Sequence, residues 1–247
     1  MKNHPRLLEL FWQFASKLEE LHTLYLDSVV GYSILHERLN SHQEAVRAVL
    51  GDHEYATKEF QDTCSIVYKN LSSRDFTPVS MSPVMKQGEM RERVEDDGRN
   101  TLLLGNQCLV SAYAYWEEYL RVEIGKAIGV LSQEAKAADE EARKILNVHV
   151  KSDLWGDIRY IRNSLVHNNG VANSEVSKCK LIKWFSPGQL IELNHERMRS
   201  IFLAMGQYRN ELHTMSLPPP RKLRIPPASI ERDVQRLAPL SAPHVKR

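Results

Sequence analysis

From Leu7 to Val49 the chain repeats apolar residues at alternating spacings of four and three. Leu7, Phe11, Phe14, Leu18, Leu21, Tyr25, Tyr32, Leu35, Leu39, Val46 and Val49 keep that rhythm, and the polar Ser28 and His42 interrupt it. This is a heptad seam on one long helix. Pro5 suits a first helical turn and Gly51 an ending. A second helix is expected to follow, with Phe60, Cys64, Val67 and Leu71 inward, so that residues 1–71 form an N-terminal helical hairpin. The seam is either core of this chain or a surface that extends a dimer or recruits another protein. His42 reads as a packed or half-exposed histidine, not a ligand.

Residues 72–98 contain Pro78, Pro83, Gly88 and a charged run from Glu89, and predict a linker or loop. Helical periodicity resumes over 100–127, with Leu104, Cys108, Ser111, Tyr115, Tyr119 and Val122 inward. An Ala-rich helix is expected over 133–147, capped by Ser132. Lys180–Phe185 and Gln189–Leu193 flank Ser186-Pro187-Gly188 and predict a short β-hairpin. Asn194 can cap a last helix whose inward face is Met198, Ile201, Phe202, Met205, Tyr208 and Leu212. The expected organisation is all-α, with a helical core over 99–215.

Between these elements lies the stretch that carries chemistry, Leu154 to Gly170. Ser152 and Asp153 can cap a helix, and a carboxylate in its first turn suits the dipole. Leu154, Ile158, Ile161 and Leu165 make one buried face, and Asn168, Asn169 and Gly170 tolerate the left-handed backbone that ends helices. At about 100° per residue, Arg159, Asn163 and His167 form one stripe. Arg162 stands roughly 140° from His167, so one helix is not expected to aim both at a single atom. Two copies about a two-fold axis could line one cleft with both. Arginine offers a planar fork of donors for phosphate, and histidine moves protons near neutral pH.

Arg162-Asn163-x-x-x-His167, on a late helix and followed by Asn-Asn-Gly, resembles the R-x4–6-H motif of the HEPN superfamily. Ser111–Arg121 is similar to the earlier core helix of such domains, and the resemblance covers roughly residues 100–215. It implies a HEPN-like helical bundle, a homodimer with facing motif helices, and often metal-independent endoribonuclease activity of toxin or abortive-infection type. An antitoxin or sensor protein is a candidate partner. Arg162, Asn163 and His167 are then the catalytic candidates, and Arg159 and Asn168 the substrate-binding ones. Glu118 and Asp157 are candidates to support Arg162, with Glu117 a further one. Each has a plainer reading: a helix-terminal His favoured by the dipole, an Arg paired within the scaffold, an Asn capping local backbone.

Composition narrows the remaining classes. Apolar content of 42% and charged content of 26% suit a globular protein. No apolar run approaches membrane-spanning length and no signal peptide is visible. Cys64, Cys108 and Cys179 are odd in number and far apart, which points to a reducing cytoplasm. No Cys or His spacing suggests zinc, and no cofactor is expected. The net charge of +2 is uneven. Residues 216–247 hold seven Lys/Arg against two acids, which puts +5 on this Pro-rich tail and −3 on the rest. The tail is expected to be extended, with a short helix near Ser229–Leu237. It is either a solvated terminus or a holder of RNA phosphates or of a partner subunit. The expected activity is RNA cleavage through the ribose 2′-hydroxyl. The alternative is a non-catalytic dimeric scaffold, or a module that binds nucleotide or RNA without cutting it.

Overall fold

The computed structural model describes residues 3–67 and 85–217. The expected inward Leu71, residues 72–84 of the linker and nearly all of the basic tail lie outside the described residues. Those described make an all-α protein, and residues up to Ser216 belong to one compact unit.

Helix α1 runs from His4 to Leu50. Asn3 accepts from the Arg6 N–H, proline sits in the first turn, and Gly51, at φ 60°, closes the end by donating to Arg47 O. The seam is buried from Leu7 to Tyr25 except at Phe11, which is partly buried, and Leu10 is added to it. Beyond that it loosens: Leu39 and Gln43 are buried, whereas Val49 is 85% exposed. The expected long partner helix is absent. Thr57 caps α2, only Lys58–Thr63, and Cys64 takes extended backbone, which stops the helix before Val67. Gln61 is its buried side chain and Phe60 is exposed. Strand β1 (Ser65–Ile66) then pairs antiparallel with β2 (Met85–Lys86), with Ile66 opposite Met85. Helix α3 (Gln87–Val94) completes a small second core of Leu39, Ile66, Met85 and Met90. A polar knot ties it to α1, in which Arg91 donates to Asn40, Gln43 and Asp62 and Gln43 donates to Gln87.

Helix α4 (Arg99–Tyr115) passes through a wide π turn at Trp116–Leu120 into α5 (Arg121–Ala127). The wide turn shifts the helix register, so Trp116, Leu120 and Arg121 all face inward. Cys108 and Val122 are buried as expected, but Ser111 is exposed. Gly105 is where α4 crosses the start of the last helix: a Cβ there would stand 2.7 Å from Leu193 O. Helix α6 is Glu140–His149, beginning at Asp139 and not at the expected Ser132. Motif helix α7 is Asp153–His167, and α8 is His195–Ser216, capped by Asn194 Oδ1 accepting from Arg197 N–H. The main core gathers α1, α4, α5, α7 and α8 around aromatic rings. Trp116 and Trp155 stack at 5.0 Å, Tyr208 meets Trp116 edge-on at 5.1 Å, and Phe14 meets Trp155 at 6.2 Å.

The β-hairpin expected over 180–193 does not form. Asp157, 2% exposed on α7, accepts backbone N–H groups from Lys180, Leu181 and Ile182 at 2.6–3.1 Å. Those donors are consumed by a side chain and cannot join a ladder. Gln189–Ile191 pairs instead with Gly170–Ala172: Ala172 N donates to Gln189 O, and Ile191 N to Gly170 O.

Truncating Asp157→Ala leaves three backbone donors without their charged acceptor. A loss of about 3 kcal/mol or more is expected, read as a melting point lowered by roughly 6–12 °C. Asp157→Asn, which keeps one acceptor oxygen, should lose less.

Two carboxylates contribute to the acid limb of stability. Burial raises the pKa of Asp62, but hydrogen bonds from Arg91 and Gln43 outweigh it and hold the carboxyl below its ordinary value. Burial likewise opposes, and Arg6 and Lys126 overcome it, at Glu123. A depressed folded pKa contributes stability that is present above the unfolded value, about 4, and is lost as pH falls through the folded one. Urea midpoints should therefore fall below about pH 4, and Arg91→Met should flatten that decline while lowering stability at neutral pH.

Candidate active site

The motif is built on the end of α7 that the core leaves bare. Leu154, Ile158 and Ile161 are buried and Leu165 is partly buried, so the polar stripe is turned out. The last turn is closed by two left-handed residues, Asn169 at φ 55° and Gly170 at φ 79°. The Gly170 N–H donates to Ser164 O at 3.2 Å. Buried Ser164 donates its hydroxyl to Tyr160 O and accepts from Asn173 N–H, both at 3.1 Å. Helix end and returning loop are thereby one piece.

Arg162 and His167 meet within one chain. Arg162 Nη1 stands 3.1 Å from His167 Nε2 and 3.2 Å from Asn163 Oδ1. The angular separation of the two positions is real, but a guanidinium on a three-carbon stem reaches across it. A two-fold partner is not needed to bring them together. Arginine is donor-only, so a hydrogen bond across this contact uses His167 Nε2 as the acceptor. The Nε and Nη2 edge of Arg162 has no acceptor among the described residues and is open for a bidentate oxyanion. Asn163, its Oδ1 engaged, keeps its amide donors for a further acceptor. His167 is exposed.

The other candidates separate. Arg159 is exposed, with its guanidinium 5.0 Å from the Tyr160 ring centre and Nη2 donating to Tyr160 Oη at 3.3 Å. Asn168 does not reach outward: its Nδ2 donates to Val171 O at 2.6 Å and closes the turn. Neither expected carboxylate holds Arg162. Asp157 is occupied by the three backbone donors, Glu118 is exposed, and Glu117 pairs with Arg121 at 3.1 Å.

Six Lys/Arg lie between Lys151 and Lys183, against three acids. Lys180 pairs with Asp153 at 2.7 Å and Lys178 with Glu175 at 3.3 Å. Lys151, Arg159, Arg162 and Lys183 have no acidic partner among the described residues, so the surface around the stripe is cationic. A larger groove of about 670 Å³ runs between α1 and α8 past Trp12, Tyr25, Phe202 and Leu203, but no residue of α7 lines it.

The sequence reading passed over Arg121, Asn147 and Trp155, which gather beside the start of the motif helix around a small cavity. Glu117 and Arg121 at i and i+4 were a visible pair, but the π turn that brings Arg121 inward has no signal in the pattern. Among the described residues no helix is long and apolar enough to cross a membrane, and no three His, Cys, Asp or Glu side chains gather as metal ligands. No protein-family model, no curated protein and no solved structure matches this chain.

Proposed function

We propose that this chain is a HEPN-type, metal-independent endoribonuclease acting as a toxin or anti-phage effector. The observation that carries the reading is the 3.1 Å contact between Arg162 Nη1 and His167 Nε2, with the second edge of the guanidinium open. A proton acceptor and an oxyanion holder lie side by side on an exposed helix end, within a cationic surface.

The chemistry follows from those groups. The ribose 2′-oxygen attacks phosphorus as its proton leaves, and the P–O2′ bond forms while the P–O5′ bond breaks. His167 serves this proton traffic, either taking the 2′-hydroxyl proton or protonating the departing 5′-oxygen. Arg162 meets the charge that grows on the non-bridging oxygens. Asn163 donates its amide to a phosphate oxygen. Arg159 holds the strand beside them. The products are a 2′,3′-cyclic phosphate and a 5′-hydroxyl. RNA is the substrate because DNA lacks the attacking hydroxyl. A homodimer belongs to the same reading, with exposed Val166 and Leu190 beside the motif as apolar surface for a facing copy. An antitoxin or sensor would restrain the activity.

The test is purified protein with total RNA and tRNA in EDTA. Cleavage should persist there. His167→Ala should remove at least about a hundredfold of the rate without lowering the melting point, because the side chain is exposed. Arg162→Lys should cost a similar factor, since an ammonium cannot reproduce the fork. Asn163→Ala should cost roughly tenfold, and expression of the wild type, but not of His167→Ala, should arrest growth. Products ending in 3′-hydroxyl and 5′-phosphate would sink the mechanism. Undiminished growth and no cleavage by the wild type would move the chain to the scaffold reading.

Binding and assembly give separate checks. An uncleavable 2′-O-methyl octanucleotide should lose affinity with salt. Each phosphate contact contributes a log–log slope of about −0.7, so the four unpaired cations set a limit near −3. Sedimentation at micromolar concentration should show a dimer, and Val166→Glu should return it to monomer.

A further inference from the structure

The π turn, the end of α6 and the start of α7 enclose a cavity of about 140 Å³. That is room for roughly four or five waters at ~30 Å³ each, too small for a dinucleotide or a drug-sized molecule. Its wall includes Arg121, Asn147, Lys151, Ser152, Trp155 and Arg159. All six side chains carry hydrogen-bond donors and three are cationic, but Arg121 already donates to Val150 O, Glu117 and Asn147, which leaves Lys151 and Arg159 as the charges available to a ligand. Glu117 is the one acid among the described lining residues, and Arg121 neutralises it. A pocket so lined calls for a compact ligand made of acceptor oxygens with negative charge.

The start of α7 opens on the same wall. Ser152 stands at the N-cap, but its hydroxyl caps no backbone N–H. The first helical bond runs from Gly156 N to Ser152 O, so the N–H groups of Asp153, Leu154 and Trp155 have no acceptor within the helix. The carboxylate of Asp153 is engaged outward by Lys180. An independent observation points the same way. Trp155 is 2% exposed, and its indole Nε1–H has no partner among the described residues. Indole can only donate, and its ring is held in place by the stacked Trp116. The protein supplies a buried donor beside a donor-rich cavity and no acceptor for it.

We propose that this cavity is a phosphate-binding subsite. Its ligand is a phosphate group, whose oxygens take donors from the uncapped start of α7, from Trp155 Nε1 and from Asn147, with Lys151 and Arg159 supplying charge. Two sources share that chemistry: a free phosphate or phosphomonoester, and a phosphate of a nucleic-acid strand. Geometry favours the strand. Arg159 lines the cavity and also begins the Arg159–Asn163–His167 stripe, and from Gly156 to Asn163 the helix rises ~10 Å. A strand lying along α7 would seat one phosphate in the cavity while another stood at Arg162 and His167. That link rests on the endoribonuclease reading, whereas the phosphate site itself does not.

The experiment is nitrogen–proton NMR of the indole groups in the full chain, which has four tryptophans. The Trp155 resonance is assigned by its loss in Trp155→Phe. If that variant does not fold, Phe at Trp12, Trp116 and Trp184 in turn assigns it by elimination. Inorganic phosphate added at constant ionic strength should move the Trp155 resonance saturably, and chloride should not. Asn147→Asp, which keeps an acceptor for Arg121 but adds a negative charge to the wall, should weaken phosphate binding at least tenfold. His167→Ala should leave the response intact, so that a failure of catalysis and a failure of this site are told apart. Competition between inorganic phosphate and a 2′-O-methyl octanucleotide at Trp155 would assign the site to a strand. Phosphate binding with no competition would assign it to a free phosphate ligand. A Trp155 resonance unmoved by both probes, or moved equally by chloride, would overturn the proposal. So would unchanged phosphate affinity in Asn147→Asp.

Discussion

The buried carboxylate of Asp157 is the interaction on which the shape of the candidate site depends. It sits on the core-facing side of α7, yet among the described residues no cation forms an ion pair with it. Three consecutive backbone N–H groups do, from Lys180 to Ile182. A charge is tolerated inside the protein because charge-assisted bonds replace its water. The same bonds fix where the chain must return after the motif helix. With residues 180–182 pinned to the middle of α7, the next segment passes beside Gly170–Ala172 and pairs with it. Ser164 fastens the other side through Asn173. The helix is gripped along its apolar face and at its end, and what stays free is the polar stripe. On the endoribonuclease reading, a site that holds a reacting phosphate would gain by standing on an element so constrained.

Much of this was legible in the residues. The seam of α1 from Leu7 to Tyr25, the inward face of α8 and the end of α7 at Asn169-Gly170 follow from apolar period and turn residues, and those local signals agree with the tertiary packing, whereas the Ser152 hydroxyl expected to cap the start of α7 makes no capping bond. The failures share a physical cause, which is that a side chain took over the role of a backbone partner or of a register. Lys180–Phe185 has the β-branched and aromatic residues of a strand and a turn signal after it, but Asp157, more than twenty residues earlier, removes its donors. The helix through Trp116 reads as one unbroken pattern, but the π turn rotates its second half and brings Arg121 inside. The Ala-rich stretch after Ser132 has helix propensity, yet the helix waits for Asp139. Asn168 was read as facing a ligand and instead closes its own turn, a choice made locally by the left-handed backbone at Asn169 and Gly170. Glu118 and Asp157 were sought as holders of Arg162 because an ion pair is the expected partner. A histidine ring nitrogen is the partner found.

That choice of partner has a consequence for the chemistry proposed at the motif. An acidic partner would fix Arg162 permanently and spend its fork. The contact with His167 Nε2 is different, because it exists only while that nitrogen carries a lone pair. When Nε2 gains a proton, both groups become donors and both are cationic, so the contact turns from attractive to repulsive. Arg162 is then driven toward the nearest acceptor. On the endoribonuclease reading that acceptor is the phosphate, whose equatorial oxygens gather charge at the moment the 2′-hydroxyl gives up its proton. The open Nε and Nη2 edge lets the guanidinium engage a phosphate before the imidazole contact breaks, so the move is a rotation about an existing bond. On that reading, proton transfer and oxyanion stabilisation would be coupled through one hydrogen bond in a single chain.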